Sequence, residues 1–213
     1  MSKKQAVISL ILNSLIVLAT TGVVISYFLF PGKAIKSGFE SFRFFTTDSN
    51  ILSALAALVV VIFDIKILRG KIKSLPHAVE VFKFIGTTAV MLTFCTVMVF
   101  LIHIYGPALL LLGTAFHMHV GGPLMALCSF ALVEKNTRLS VPEAFLGLLP
   151  MAVYGTVYLV EVVLIGAPNG GWEDFYAFNQ NNNWQVTVAV MLAATTAISF
   201  LVRLLHNIRI RKE

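Results

Sequence analysis

Long apolar runs alternate with short polar breaks along the whole chain. The runs cover about 6–30, 42–68, 83–105, 108–133, 142–165 and 184–205. About 20 residues in a helix, at ~1.5 Å each, cross the ~30 Å hydrocarbon core of a bilayer. None of the runs shows the strict alternation of a barrel strand, and an open sheet leaves backbone groups unsatisfied in lipid. The pattern therefore predicts an all-α membrane protein, a six-transmembrane helical bundle forming one domain over 1–213. The breaks carry turn signals: Pro31-Gly32, a basic segment with Pro76, Gly106-Pro107, the polar stretch from Glu134 to Ser140, and a loop of Gly, Asn and aromatic residues over 166–183. The first run is too long for a signal-peptide core, and no small-residue cleavage site follows it. On the second run, Ser49, Ser53 and Ala57 recur every fourth residue, a small face that lets helices approach closely.

Composition agrees. Of the 213 residues, 58% are hydrophobic and 12% charged, with a mean hydropathy of +0.87. A soluble domain carries roughly 25% charged residues. The net charge of +6 does not indicate a nucleic-acid partner, because the basic residues sit at the ends of the runs and form no patch with interleaved aromatics. Cys95 and Cys128 lie inside apolar runs as packing residues, and no CxxC pair is present.

The charges also orient the chain. Six spans place both termini on one side. That side collects Lys3, Lys4, Lys66, Arg69, Lys71, Lys73, Lys83, Lys135, Arg138, Arg203, Arg209, Arg211 and Lys212, thirteen of the sixteen basic residues. Only Lys33, Lys36 and Arg43 fall on the other. The positive-inside rule predicts cytoplasmic termini and a multi-pass protein of the cell membrane, with 33–41 and 166–183 outside.

Polar residues inside a membrane run are costly and mark candidate sites. Two stretches stand out. Arg43-Phe44-Phe45-Thr46-Thr47-Asp48-Ser49-Asn50 opens the second run, and His117-Met118-His119-Val120-Gly121-Gly122-Pro123 interrupts the fourth. Given the orientation, every strong polar group within the spans except Asn13 and the Thr87/Thr88 pair is expected in the outer half or near mid-membrane. This predicts one cavity open to the outer leaflet, with an apolar wall between spans two to five that includes Leu55, Phe94, Phe116 and Leu124. Pro123 cannot donate a backbone hydrogen bond to the carbonyl of His119, so a kink is expected there. On a regular helix His117 and His119 point apart. Thr46, Thr47, Asp48 and Asn50 also suit a helix cap. Glu161 near the end of span five and His103 near the end of span three complete the polar set; an ion pair with Arg43 would make Glu161 structural. These residues offer zinc donors, but no His-x-x-x-His pair exists, and neither metal nor cofactor is expected.

Arg43-Phe44-Phe45-Thr46 at the start of a span, and His119 three residues before Gly122-Pro123, resemble the androgen-induced and androgen-dependent integral membrane hydrolases and their bacterial relatives. The segment Gly171-Trp172-Glu173-Asp174-Phe175-Tyr176-Ala177-Phe178 is similar to a Trp…Tyr-Pro-Phe-Leu segment of those relatives. The resemblance covers nearly the whole chain in its order of spans, with a His-to-Pro spacing one residue shorter than in the animal enzymes. It implies a threonine hydrolase of fatty-acid esters of hydroxy fatty acids, without cofactor, with Thr46 as nucleophile and His119 as the essential histidine. Thr47 offers a second hydroxyl beside the first. Thr47, Asp48, Asn50, His103 and Glu161 are then supporting residues, and the partner is a lipid ester or fatty acid. The rival reading is a membrane protein that binds or transports a lipid or small molecule without catalysis, although the halves show no repeat of the kind many transporters carry.

Overall fold

The computed structural model describes residues 1–30 and 37–208. The turn Pro31-Gly32, the loop cations Lys33 and Lys36, and the tail cations Arg209, Arg211 and Lys212 lie outside the described residues. No strand occurs among the described residues. Six helices are long and apolar enough to cross a membrane: α1 (Lys3–Leu29), α2 (Phe45–Leu68), α3 (His77–Tyr105), α4 (Thr114–Val133), α5 (Val141–Ile165) and α6 (Trp184–Asn207). Their outward faces are apolar, with Leu18, Leu29, Val99, Leu132, Val153 and Leu164 all more than half exposed. Water would reject so many exposed large side chains, whereas a bilayer accepts them. The chain is a multi-pass integral membrane protein.

Local chemistry explains where three of the helices start. Ser2 accepts from the Gln5 N–H while the Gln5 side chain accepts from the Ser2 N–H, a reciprocal capping box at α1. Ser140 and Glu143 form the same device at α5, with Pro142 in the first turn. The start of α2 differs: its N-cap residue Phe44 is extended and its side chain makes no cap bond, and Thr46, Thr47 and Asp48 already lie within its first turn. The polar run thus forms the first turn itself. Pro76 sets the start of α3 at His77, six residues before the apolar run begins. Lys83 therefore lies inside a helix and not at its edge.

The fourth apolar run is two elements. A short helix, Pro107–Leu111, ends where Leu112 turns extended and Gly113 takes φ +58°, and α4 starts only at Thr114. A side chain at position 113 would strain that backbone. Four π-helical turns follow one another through the bundle, at Val97–Leu101, His117–Gly121, Ser129–Val133 and Val160–Ile165. The second answers Pro123: instead of an open kink, the Gly122 N–H bonds to the His117 carbonyl five residues back.

The buried stripe of α1 records the layers of the bundle. Ala6 is apolar, Ser9 and Asn13 are polar, Ile16 is apolar, Thr20 is polar, and Val23 and Tyr27 close the sequence. At the level of Ile16, Ala54, Ala57, Val90 and Ala126 form an apolar layer across the bundle. The small face of α2 packs on α3 as its spacing predicts. Ser53 meets Gly86, where an added Cβ would fall 3.1 Å from the Ser53 Cα, and the Ser49 and Thr93 hydroxyls hydrogen-bond at 2.8 Å. One expectation is overturned here. Polar groups do not collect only in the half away from the termini, because Asp64, Lys83 and Glu134 are fully buried in the half nearer the termini, together with Asn13. Hydropathy placed Lys83 and Glu134 at span ends; the longer α3 and the folding of Glu134 back under α4 take both inside.

Candidate functional site

A cavity of about 830 Å³ lies at the side away from the termini. Its wall comes from the start of α2, the second half of α3, α5, α6 and the loop 166–183. Phe45, Thr46, Leu92, Met151, Tyr154 and Trp184 represent these elements. This differs from the expected wall between spans two to five. Leu55, Phe116 and Leu124 are exposed on the outer surface, and Phe94 packs beside Phe84 and Phe130 in another cluster. The reason is lateral: helix order fixes depth, but which helices are neighbours is decided by packing, and α6 closes the cavity where α4 was expected.

Thr46 is the polar group that α2 presents to the cavity, and it is buried. Opposite it stands Tyr176 of the loop. Burial pushes the Tyr176 phenol up to about 12, partly offset by the Thr46 side chain, the Tyr154 hydroxyl and the amides of Phe45 and Thr46, all of which act to lower it. Tyr176 is consequently a proton donor at neutral pH, seated at the N-terminus of α2, where the first amides of a helix have no intrahelical partner. Tyr176 is held from several directions. Its N–H donates to the Tyr158 hydroxyl at 3.1 Å, and Tyr158 in turn donates to Asp174. Asp174 also accepts from the N–H groups of Phe178 and Asn179, at 2.7 and 2.8 Å. Tyr105 donates to the Phe175 carbonyl, and Tyr154 to the Arg43 carbonyl at 2.6 Å. The loop is thereby an aromatic cover fixed to α3, α5 and the segment leading into α2. Ala177, which lines the cavity, adopts φ +53°, a conformation that costs a non-glycine residue free energy and persists only where its surroundings enforce it.

Asn50 ties α2 to α4. Its amide donates to the Thr46 carbonyl at 2.7 Å and to the Met118 carbonyl at 2.9 Å. The first turn of α2 and the π-turn of α4 are therefore at one level. The late start of α4 makes this possible, since His119 lies only five residues beyond Thr114. Gly122 leaves room for the bridge, because a Cβ there would fall 3.0 Å from the Asn50 Oδ1. His119 is buried, and its Nδ1 lies 2.7 Å from the Leu110 carbonyl. A carbonyl only accepts, so Nδ1 carries the proton and Nε2 is the basic nitrogen. His117 points the other way, with Nε2 3.1 Å from the Thr20 hydroxyl of α1. His119 is not a wall residue of the cavity, and α4 contributes none.

The supporting residues separate. Thr47 is fully buried and its hydroxyl has no hydrogen-bond partner. Asp48 is half-buried and lines a second, smaller cavity with Phe42, Leu149 and Trp172, on the α5 side. His103 is exposed, outside the site. Glu161 is half-buried and makes no ion pair with Arg43; it serves through its backbone, its carbonyl accepting from Gly166 and Trp172. Among the described residues no three His, Cys, Asp or Glu side chains converge as metal ligands would. Residue reasoning alone missed the roles of Tyr154, Tyr158 and Tyr176; the readable signal was an aromatic-rich loop facing the start of α2. No family model, curated protein or solved structure matches the chain.

Proposed function

We propose that the protein is an intramembrane hydrolase of lipid esters, with Thr46 as nucleophile and His119 as general base. The observation that carries this reading is the position of the Thr46 hydroxyl, at the polar end of a largely apolar cavity and beside a protonated Tyr176. A cavity of about 830 Å³ falls within the roughly 300–1,000 Å³ of small-ligand sites. An acyl chain occupies the apolar part and its ester meets Thr46. A threonine hydroxyl is a weak nucleophile unless a base takes its proton, and the Nε2 of His119 is the basic nitrogen at that level. Attack gives a tetrahedral oxyanion, which Tyr176 stabilises by donating a hydrogen bond. His119 returns the proton to the departing alcohol, and water then hydrolyses the acyl-threonine. A second reading, binding of a lipid without catalysis, is favoured by one specific observation: His119 stands off the cavity wall.

Labelling separates the two. Protein in lipid nanodiscs is expected to react covalently with a fluorophosphonate probe of serine and threonine hydrolases. Thr46→Ala and His119→Ala abolish the labelling while the melting temperature is kept, and Thr47→Ala does not. Undiminished labelling of Thr46→Ala removes Thr46 as nucleophile. No labelling of the wild type, with fatty acid co-purifying, supports the binding reading.

We further propose that both termini are cytoplasmic in the cell membrane. Lys83 leaves the charge count because it is buried, and the order of spans still assigns twelve of the remaining fifteen basic residues to the termini side. With Cys95 and Cys128 replaced by alanine, Ser37→Cys is expected to react with an impermeant maleimide on intact cells and Ser74→Cys only after permeabilisation. The reverse pattern means the opposite orientation.

A further inference from the structure

The half of the bundle nearer the termini holds a polar centre that the lipid-ester reading does not use. Ser9 and Asn13 of α1, Asp64 of α2, Lys83 of α3, Ser129 of α4 and Glu134 just beyond it are each at most 1% exposed. Asn13 is the hub. Its Oδ1 accepts from the Lys83 ammonium at 2.5 Å and its Nδ2 donates to the Glu134 Oε1 at 2.5 Å, so the lysine reaches the glutamate through an amide. The Ser9 and Ser129 hydroxyls also donate to that oxygen. Asp64 contrasts with this. Neither of its oxygens has a hydrogen bond of ordinary geometry, and neither does the Glu134 Oε2, although the Ser9 hydroxyl, Glu134 and Lys83 all act on Asp64.

The charges do not balance. Two carboxylates face one ammonium, leaving one negative charge uncompensated, and a buried unpaired ion neutralises instead of persisting. Either a metal cation or a proton can do this. The Lys83 ammonium already in the cluster repels a second cation, and the described residues offer no three-ligand metal cluster. We propose that Asp64 and Glu134 hold one proton between them, forming a proton-binding site buried in the termini-side half of the bundle. The proton resides on Asp64, because Glu134 Oε1 accepts three hydrogen bonds, as an ionised carboxylate does, while Asp64 has only the Ser9 hydroxyl beside it and no bond of ordinary geometry. Protonated Asp64 becomes a donor in a cluster where Glu134 Oε2 is an unmet acceptor.

The neighbouring titratable groups among the described residues have partners of their own. From α1 only Ser9 and Asn13 face it. Glu80, one turn before Lys83, is turned to the backbone of Asn136 and Thr137. Lys135 reaches the Leu205 carbonyl, and His206 of α6 lies between the carbonyls of Phe130 and Thr137.

Charge parity gives the test. Infrared spectra of the purified protein in nanodiscs at neutral pH are expected to show the carbonyl stretch of a protonated carboxylic acid that shifts on H/D exchange. Asp64→Asn and Glu134→Gln each leave one carboxylate against one ammonium, and each loses the band. Lys83→Met leaves two carboxylates and gains intensity. The native wild type holds a proton that the unfolded chain has released, so its melting temperature falls as pH rises from mildly acidic to mildly alkaline. In Asp64→Asn that dependence flattens. A wild type with no acid band, or a band that survives in both Asp64→Asn and Glu134→Gln, overturns the proposal. So does a melting temperature raised by sodium over choline in a protein without the band, which identifies a metal cation as the occupant. Should Asp64→Asn fail to fold, Glu134→Gln and the wild-type band decide the matter.

Discussion

Asn13→Leu is expected to lower the melting temperature of the solubilised protein more than any substitution on its lipid face. Leucine shares asparagine's γ-branched shape and is larger, so the change opens no cavity; the cost is the lost polar partners, with some overpacking added. The change removes the amide between Lys83 and Glu134, whose hydrogen bonds to it are 2.5 Å on each side, and takes a donor from Ser129. It leaves a buried ammonium with no acceptor from that residue. Removing one partner of a buried charge pair costs about 3–5 kcal/mol, and loss of this bridge should fall near the lower end. Leu18→Ala, at a position 69% exposed, is the control and should change little. An Asn13→Leu protein that melts like the wild type would mean that lysine and glutamate pair directly once the amide is gone.

Gly171→Ala is expected to abolish fluorophosphonate labelling almost as completely as Thr46→Ala, though it touches neither the substrate nor Thr46. A Cβ at Gly171 would fall 2.1 Å from the Glu161 carbonyl oxygen and 2.9 and 3.0 Å from backbone atoms of Gly166. All three are backbone, so no side-chain rotation relieves the contact, and the loop must leave the end of α5. Tyr176 and Ala177 leave with it. Overpacking of this kind costs about 1–3 kcal/mol in ordinary cores. Here the cost is concentrated in one loop, so the helices should survive while the site does not. Circular dichroism unchanged with labelling lost is the expected result. Full labelling would show that Tyr176 is dispensable.

The helices were legible because span length and hydropathy are properties of a single segment. The capping boxes at Ser2/Gln5 and Ser140/Glu143 are local chemistry too, but hydropathy alone passes over them. The start of α3 was not, since hydropathy cannot distinguish a lysine at an interface from one bonded to Asn13 across the bundle. The break at Gly113 was hidden for a related reason: a single positive φ interrupts a run whose composition does not change. At the site, depth was legible only in part: the order of spans put both polar stretches toward the side away from the termini, and the late start of α4 at Thr114, which hydropathy does not show, brings the π-turn of α4 level with Asn50. Azimuth was not legible. Whether a residue faces α4 or α6 depends on packing among helices far apart in sequence, and the expected wall of Leu55, Phe116 and Leu124 proved to be outer surface.

The polar stripe of α1 also constrains how the protein is made. Ser9 and Asn13 enter the bilayer with the first span, yet their partners Lys83, Ser129 and Glu134 emerge only with the third and fourth. Until then, of the groups in that cluster, α2 offers α1 only Asp64, beside the Ser9 hydroxyl. A nascent chain halted after two spans is therefore an intermediate with unmet polar groups in lipid, the kind of surface on which membrane chaperones and proteases act. Completion of α4 closes that window, and assembly of this bundle is committed at its fourth span, before the helix that finishes the cavity has been synthesised.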